Sequence, residues 1–228
     1  MNWKLICISG ALLCAANQTQ AIATADVPSN GRAALVNGVL ISRADFQTEL
    51  KRIERLRGVD IKAPDPVETA RLKKESMENL INRELLYQEA GKQGIKVTDA
   101  EVGKEVGGLK KQFANDAEFG ATLGQMGLSE ESVKAQIGRG MTIRRFIDER
   151  FGKKVKVSDA DVDYYYADHQ DEFRVTGGQQ QVFQPLSEVR EKIRQKIREE
   201  RINRELSPYV RRLRETAKVE ILLDEGGD

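Results

Sequence analysis

The sequence predicts a mainly α fold, a multi-helix domain closed by a small β element made from its N- and C-terminal strands. Three observations carry that expectation. Charged residues make up 32% of the 228 residues and aromatics 6%, a mix suited to solvated helices rather than to a β-sandwich. Apolar residues recur at helical spacing, most clearly at Leu186, Val189, Ile193, Ile197, Ile202, Leu206, Val210 and Leu213. Only two stretches, 33–42 and 218–223, read as strands, and they bracket the helices.

Residues 1–23 stand apart from the rest. Lys4 supplies a positive start, Leu5 to Ala16 is an apolar run of signal-sequence length, and Ala21-Ile22-Ala23 offers small residues where a signal peptidase reads. We expect a cleaved secretory signal, with an uncleaved anchor as the alternative. Leu13 before Cys14 disfavours a lipoprotein signal. Both cysteines, Cys7 and Cys14, lie in this segment, so the exported chain has no thiol for disulfide, nucleophilic or metal chemistry. Removing Lys4 from the 37 basic residues leaves 36, against 36 acidic. That balance gives no field to draw nucleic acid or anionic lipid. No later segment is long and apolar enough for stable membrane insertion.

The elements follow in order. Asn37-Gly38, between two short apolar runs, suits the positive φ angles of a type I′ turn and so predicts a hairpin over 33–42. Ser42 with Asp45 reads as a capping box. It opens a helix through Phe46, Leu50, Ile53 and Leu56 that stops at Gly58. After a loop with two prolines, a long helix is expected from about Val67 to Gln93, its apolar side formed by Met77, Leu80, Ile81, Leu85 and Tyr87. Thr98 with Glu101 caps a short helix reaching about Phe113. Phe119, Leu123 and Met126 mark another, ended by Gly127. Ser129 opens a longer one through Ile147. Residues 153–158 read as an extended connector, and Ser158 with Asp161 caps a helix ending near Phe173. The last helix begins at Leu186 and should be kinked or interrupted by Pro208. The terminal strand at 218–223 is expected to pair with the first.

These segments, taken in order, resemble a known family. "VNGVLISRADFQTEL", "LINRELLYQEAGKQGIKVTDAEV", "EFGATLGQMGLSEESVKAQI" and "VKVSDADVDYYYADHQDEF" resemble the N-terminal module of SurA-type periplasmic chaperones, over roughly residues 34–173. "VRRLRETAKVEILL" is similar to the closing segment of such proteins. The resemblance implies an ATP-independent chaperone for unfolded outer-membrane or secreted proteins. It also implies a parvulin-type prolyl isomerase domain inserted before the last helix. Such a domain needs about a hundred residues, whereas the interval from Arg174 to Pro185 holds twelve. The expected organisation is a signal at 1–23, a chaperone domain at 24–173, a connector at 174–185 and a closing helix and strand at 186–228.

The side-chain chemistry points the same way. The sequence has one histidine, His169, on the stripe Val162, Tyr165, Tyr166, His169 and Phe173, a packing position rather than a catalytic one. No phosphate-loop, nucleophile-elbow or dinucleotide motif is present. We therefore expect no enzyme activity, no cofactor and no metal. Tyr164 is expected to face solvent, opposite its two neighbouring tyrosines. The helix from Ser187 to Ala217 carries ten basic and six acidic residues, read as a solvated face laced with i,i+4 pairs. Client contact is assigned to Met126, Leu128, Met141 and Tyr164, since Met and Tyr suit promiscuous surfaces. The expected partners are unfolded or nascent exported polypeptides. Two alternatives stay open: an isomerase-family member acting with a partner, and a dedicated assembly protein forming a homodimer.

Overall fold

The computed structural model describes residues 31–58, 65–175 and 182–223. The expected signal, the proline loop around 59–64 and the Gly177-Gly178 stretch lie outside them. The described residues form seven helices and two small sheets. The elements are β1 (Arg32–Val36), β2 (Val39–Ser42), α1 (Arg43–Arg57), α2 (Pro66–Lys92), α3 (Asp99–Lys110), α4 (Asp116–Gln125), α5 (Glu130–Arg150), α6 (Asp159–Asp168), β3 (Arg174–Val175), β4 (Val182–Phe183), α7 (Leu186–Thr216) and β5 (Val219–Ile221). Two compact units emerge, one from residues up to Phe146 together with Val210 onward, the other from Ile147–Tyr209.

In the first unit the sheet order is β2-β1-β5, with β1 antiparallel to both neighbours. The turn between β1 and β2 places Asn37 at φ 53° and Gly38 at φ 82°, the left-handed pair that a type I′ turn requires. Asn37 also acts at longer range. Its N–H donates to the Lys218 carbonyl at 2.8 Å, its Oδ1 accepts from the Lys218 N–H at 2.9 Å, and its Nδ2 donates to Gln88 Oε1 at 2.8 Å. One turn residue thus ties the hairpin to β5 and to α2. Beneath the sheet, Val36, Ile41, Phe46, Met77, Ile81 and Leu85 form a buried cluster, with Leu213 and Val219 packed against it.

The helix starts follow the sequence. Ser42 and Asp45, Thr98 and Glu101, and Ser158 and Asp161 each form a reciprocal capping box. α1 ends at Gly58 in the left-handed region. Four expectations are corrected. Leu56, placed on the apolar stripe of α1, is exposed. Lys153 and Lys154 belong to a 3-10 turn rather than to an extended connector. α6 stops at Asp168, and a 3-10 turn from Gln170 carries the chain to Phe173. Pro208 does not interrupt α7, which runs through it. The Ser207 hydroxyl next to it bonds the Asn203 carbonyl at 2.7 Å.

Candidate functional site

In the first unit, α1, α2 and α5 share buried charges. Glu49 is fully buried and its carboxylate accepts from Arg52 at 2.6 and 2.8 Å, with Asn79 at 3.4 Å and Arg83 at 3.8 Å. Glu84 is buried against Arg139 and accepts from Gln88 at 2.8 Å. The Arg139 guanidinium lies 4.1 Å from the Tyr87 ring centroid. Burial pushes the Asp45 carboxyl up, although its bonds from Ser42 favour ionisation. Such groups are tolerated inside only because each is paired. Sequence reading missed Glu49 and Glu84. Each lies three or four residues from an apolar neighbour on its helix, and no local pattern separates it from a solvated glutamate.

A second cluster in this unit belongs to α3, α4 and the start of α5. Leu109, Phe119, Leu123, Leu128 and Val133 are buried, with Phe113, Met126 and Ile137 half-buried around them. The Phe113 and Phe119 rings meet edge-on at 5.2 Å. Of the residues assigned to client contact, Met126 and Leu128 come together here, and Leu128 is only 8% exposed. Met141 is half-buried on α5, eight residues beyond Val133, a rise of about 12 Å.

The cover of this cluster is unusual in composition. α3 contains Gly103, Gly107 and Gly108, and α4 contains Gly120 and Gly124. A Cβ at any of the five would meet nothing within 4 Å beyond its chain neighbours and its own helix's backbone, and none has a positive φ. Neither close packing nor backbone geometry requires glycine there, and each costs the helix about 1 kcal/mol relative to alanine. The cover is tied down by charges: Lys110 to Glu130 at 2.9 Å, and Glu101 to Arg145, which also donates to the Lys96 carbonyl at 2.6 Å. The Arg145 hydrogen bond, with those from Thr98, pulls the Glu101 carboxyl down to about 2.

In the second unit, α6 and α7 meet along Val162, Tyr165, Phe173, Val189, Ile193 and Ile197. The basic residues of α7 reach carboxylates beyond their own helix, and Arg194 also bonds Glu191 on it at 2.9 Å. Arg194 reaches Asp159 at 2.5 Å, Arg190 reaches Asp163 at 2.8 Å, Arg201 reaches Asp161 at 2.5 Å and Lys196 reaches Glu172 at 2.6 Å. The Arg201 bond, aided by those from Ser158, holds the Asp161 carboxyl well below the usual range. Spacing within one helix could not reveal partners on another. His169 stacks flat on Tyr165, centroids 4.0 Å apart, and its Nδ1 lies 3.1 Å from the Tyr165 carbonyl. Tyr164 is 72% exposed. β3 and β4 pair as Arg174 with Phe183 and Val175 with Val182. The Gln184 N–H donates to the Phe173 carbonyl at 2.8 Å, and the Tyr166 hydroxyl donates to the Gln184 carbonyl at 2.7 Å. The two described sides of the expected connector are therefore stapled together.

β5 lies at one edge of the first sheet, and Ile221 is 54% exposed there. Three consecutive apolar residues, Ile221 to Leu223, could have signalled this, since alternate strand residues face opposite ways. Among the described residues no cluster of His, Cys, Asp and Glu could hold a metal, and no helix is long and apolar enough to cross a membrane.

Comparison with known proteins places this arrangement. The SurA-like N-terminal domain family matches residues 7–147. Chaperone SurA of Chromobacterium violaceum is 32% identical over 132 residues, 57% of this chain and 30% of that protein. Foldase protein PrsA of Clostridium botulinum is 29% identical over 163 residues, 66% of this chain and 48% of that protein. The chain thus spans between about a third and a half of the length of these two relatives. A solved structure from Campylobacter jejuni, described in work on PEB4 and Cj1289 as SurA-like chaperones, aligns with a TM-score of 0.49 at 14% identity. That alignment covers 86% of this chain and 100% of the other.

Proposed function

Because the chain belongs to the SurA-like N-terminal domain family, we propose that it is an ATP-independent extracytoplasmic chaperone holding unfolded or partly folded outer-membrane or secreted proteins. One observation carries this reading. The family match covers residues 7–147, from the N-terminal segment into α5, while only twelve residues separate Phe173 from Leu186, with β3 and β4 paired across them. An isomerase domain inserted there would need about a hundred. His169, the one histidine in the sequence, is stacked on Tyr165. We therefore assign binding and no prolyl isomerase chemistry to the chain.

The N-terminal signal-like segment supports export to the periplasm, with residues 24–173 and 186–228 forming the working domain and 174–185 linking them. Client contact falls to Tyr164, which is already exposed, and to Met126, Leu128 and Met141, which are partly or wholly covered. The test follows aggregation of an unfolded outer-membrane protein with stoichiometric chain and no ATP. Suppression is the expected result, with no acceleration of a proline-limited refolding reaction. Failure to suppress aggregation for several clients would overturn the chaperone reading. Accelerated refolding would restore the isomerase.

A further inference from the structure

We infer that residues 99–137, from the start of α3 into the first turns of α5, open as a separate unit, and that an extended apolar client segment binds by replacing this unit's own side chains over its buried cluster. The inference rests on the chaperone reading and names the site and the event through which that function works.

Four observations lead to it. The cluster takes all its residues from one contiguous stretch, Leu109 to Ile137, so it can come apart without separating distant parts of the chain. Its cover, α3 and α4, is short and diluted by five glycines that no neighbour requires. Besides the apolar burial of Val106, Leu109, Phe119 and Leu123, the side-chain ion pairs across the cover, Lys110 with Glu130 and Glu101 with Arg145, sit at half-exposed positions, a weak class of tether. The residues released are Phe, Leu and Val, with Met126 at the rim. Their chemistry is that of the apolar side chains an unfolded polypeptide presents, and it suits a sequence-tolerant site. Charged side chains sit around this cluster rather than within it, so the occupant is an apolar segment rather than an acidic or basic one. The same opening explains why Leu128 is buried when closed and yet able to touch a client.

The experiment uses the whole exported chain. Amide exchange is measured for 99–137 and for α2, and stopped-flow capture is measured with a dye-labelled peptide alternating Phe and Leu with Ser and Thr. In the wild type, amides of 99–137 should exchange well before those around Ile81 and Leu85, and the peptide should protect them. The substitutions Gly103→Ala, Gly107→Ala and Gly120→Ala have room for the new methyl group. Each should raise protection of its segment about fourfold, and the triple variant about sixtyfold, with capture slowed to match. Phe119→Leu, which loosens the edge-on contact with Phe113, should move both readouts the other way. Raised protection with unchanged capture would overturn the inference and leave the chaperone reading intact. Exchange of 99–137 no faster than α2 would do the same. A wild type that captures neither peptide nor unfolded protein would overturn both. A concentration-dependent dimer that protects 99–137 without peptide would assign the cluster to a second copy instead.

Discussion

The cluster beneath the three-stranded sheet draws Val36 and Ile41 from one end of the described chain and Leu213 and Val219 from the other. The cluster beneath α3 and α4 finds all its residues between Leu109 and Ile137. The first is completed only when β5 reaches β1 across more than 180 residues, fixed by Asn37 on Lys218, and brings Leu213 and Val219 against it. Breaking it therefore means unfolding the unit. The second closes only short loops, and its loss leaves the chain path elsewhere unchanged. Two apolar clusters in one unit can thus have different jobs, one holding the fold and the other available for exchange. Their cover differs too. α1 and α2 bring buried, fully paired carboxylates, whereas α3 and α4 bring glycines and charge pairs nearer to water.

The largest effect should come from the sheet-side cluster's polar support. Glu49→Ala leaves Arg52 and Arg83 beside a buried site without their carboxylate. It should lower global stability by about 3–5 kcal/mol, read from a urea midpoint with unchanged slope. A loss below about 1 kcal/mol would mean that the network is not needed for packing α1 on α2. A paired truncation sharpens the contrast. Ile81→Ala and Leu123→Ala each remove a buried aliphatic side chain, an operation costing about 2–5 kcal/mol. For Ile81 the cost should appear in the global midpoint. For Leu123 it should appear chiefly as faster amide exchange across 99–137, with the midpoint little changed. Equal midpoint shifts would erase the distinction between the clusters.

Local chemistry was legible in the sequence and distant chemistry was not. The Asn37-Gly38 turn, the three capping boxes and the stop at Gly58 each depend on residues within a few positions of one another, and each appears where expected. Pairing of the terminal strands was also foreseeable, since two strands bracketing helices must find partners. Three features needed the third dimension. Arg190, Arg194 and Arg201 look like a solvated helix face in sequence, but each reaches a carboxylate on α6. Glu49 and Glu84 look exposed until their arginines are seen. Leu128 is assigned to client contact in sequence, yet the chain turns at Gly127 and buries it. Pro208 departs from expectation for a different reason. A missing N–H ends an isolated helix, but α7 buries residues on both sides of Pro208, from Val189 to Tyr209, and that packing keeps it continuous.

The smallest effect concerns the tether of α3. Glu101 is held at about 2 by its hydrogen bonds from Arg145 and Thr98, against an ordinary glutamate value of about 4.3. A carboxyl depressed by folding contributes stability that is fully present above its unfolded value. The contribution is lost as pH falls towards the folded one. The tie of α3 to α5 should therefore be intact above about pH 5 and weaken progressively down to about pH 2. A carboxyl-carbon titration should place the Glu101 midpoint near 2, and Arg145→Met should move it up towards the ordinary value. Over the same window, exchange of 99–137 should accelerate beyond the intrinsic pH dependence, with α2 serving as the internal control. Because both side chains are partly exposed, added salt should shrink the difference between the wild type and the Arg145→Met variant by screening. A Glu101 midpoint that ignores Arg145→Met would place the tether of α3 in its apolar contacts alone, and the cover of the second cluster would then be held much as the first cluster is.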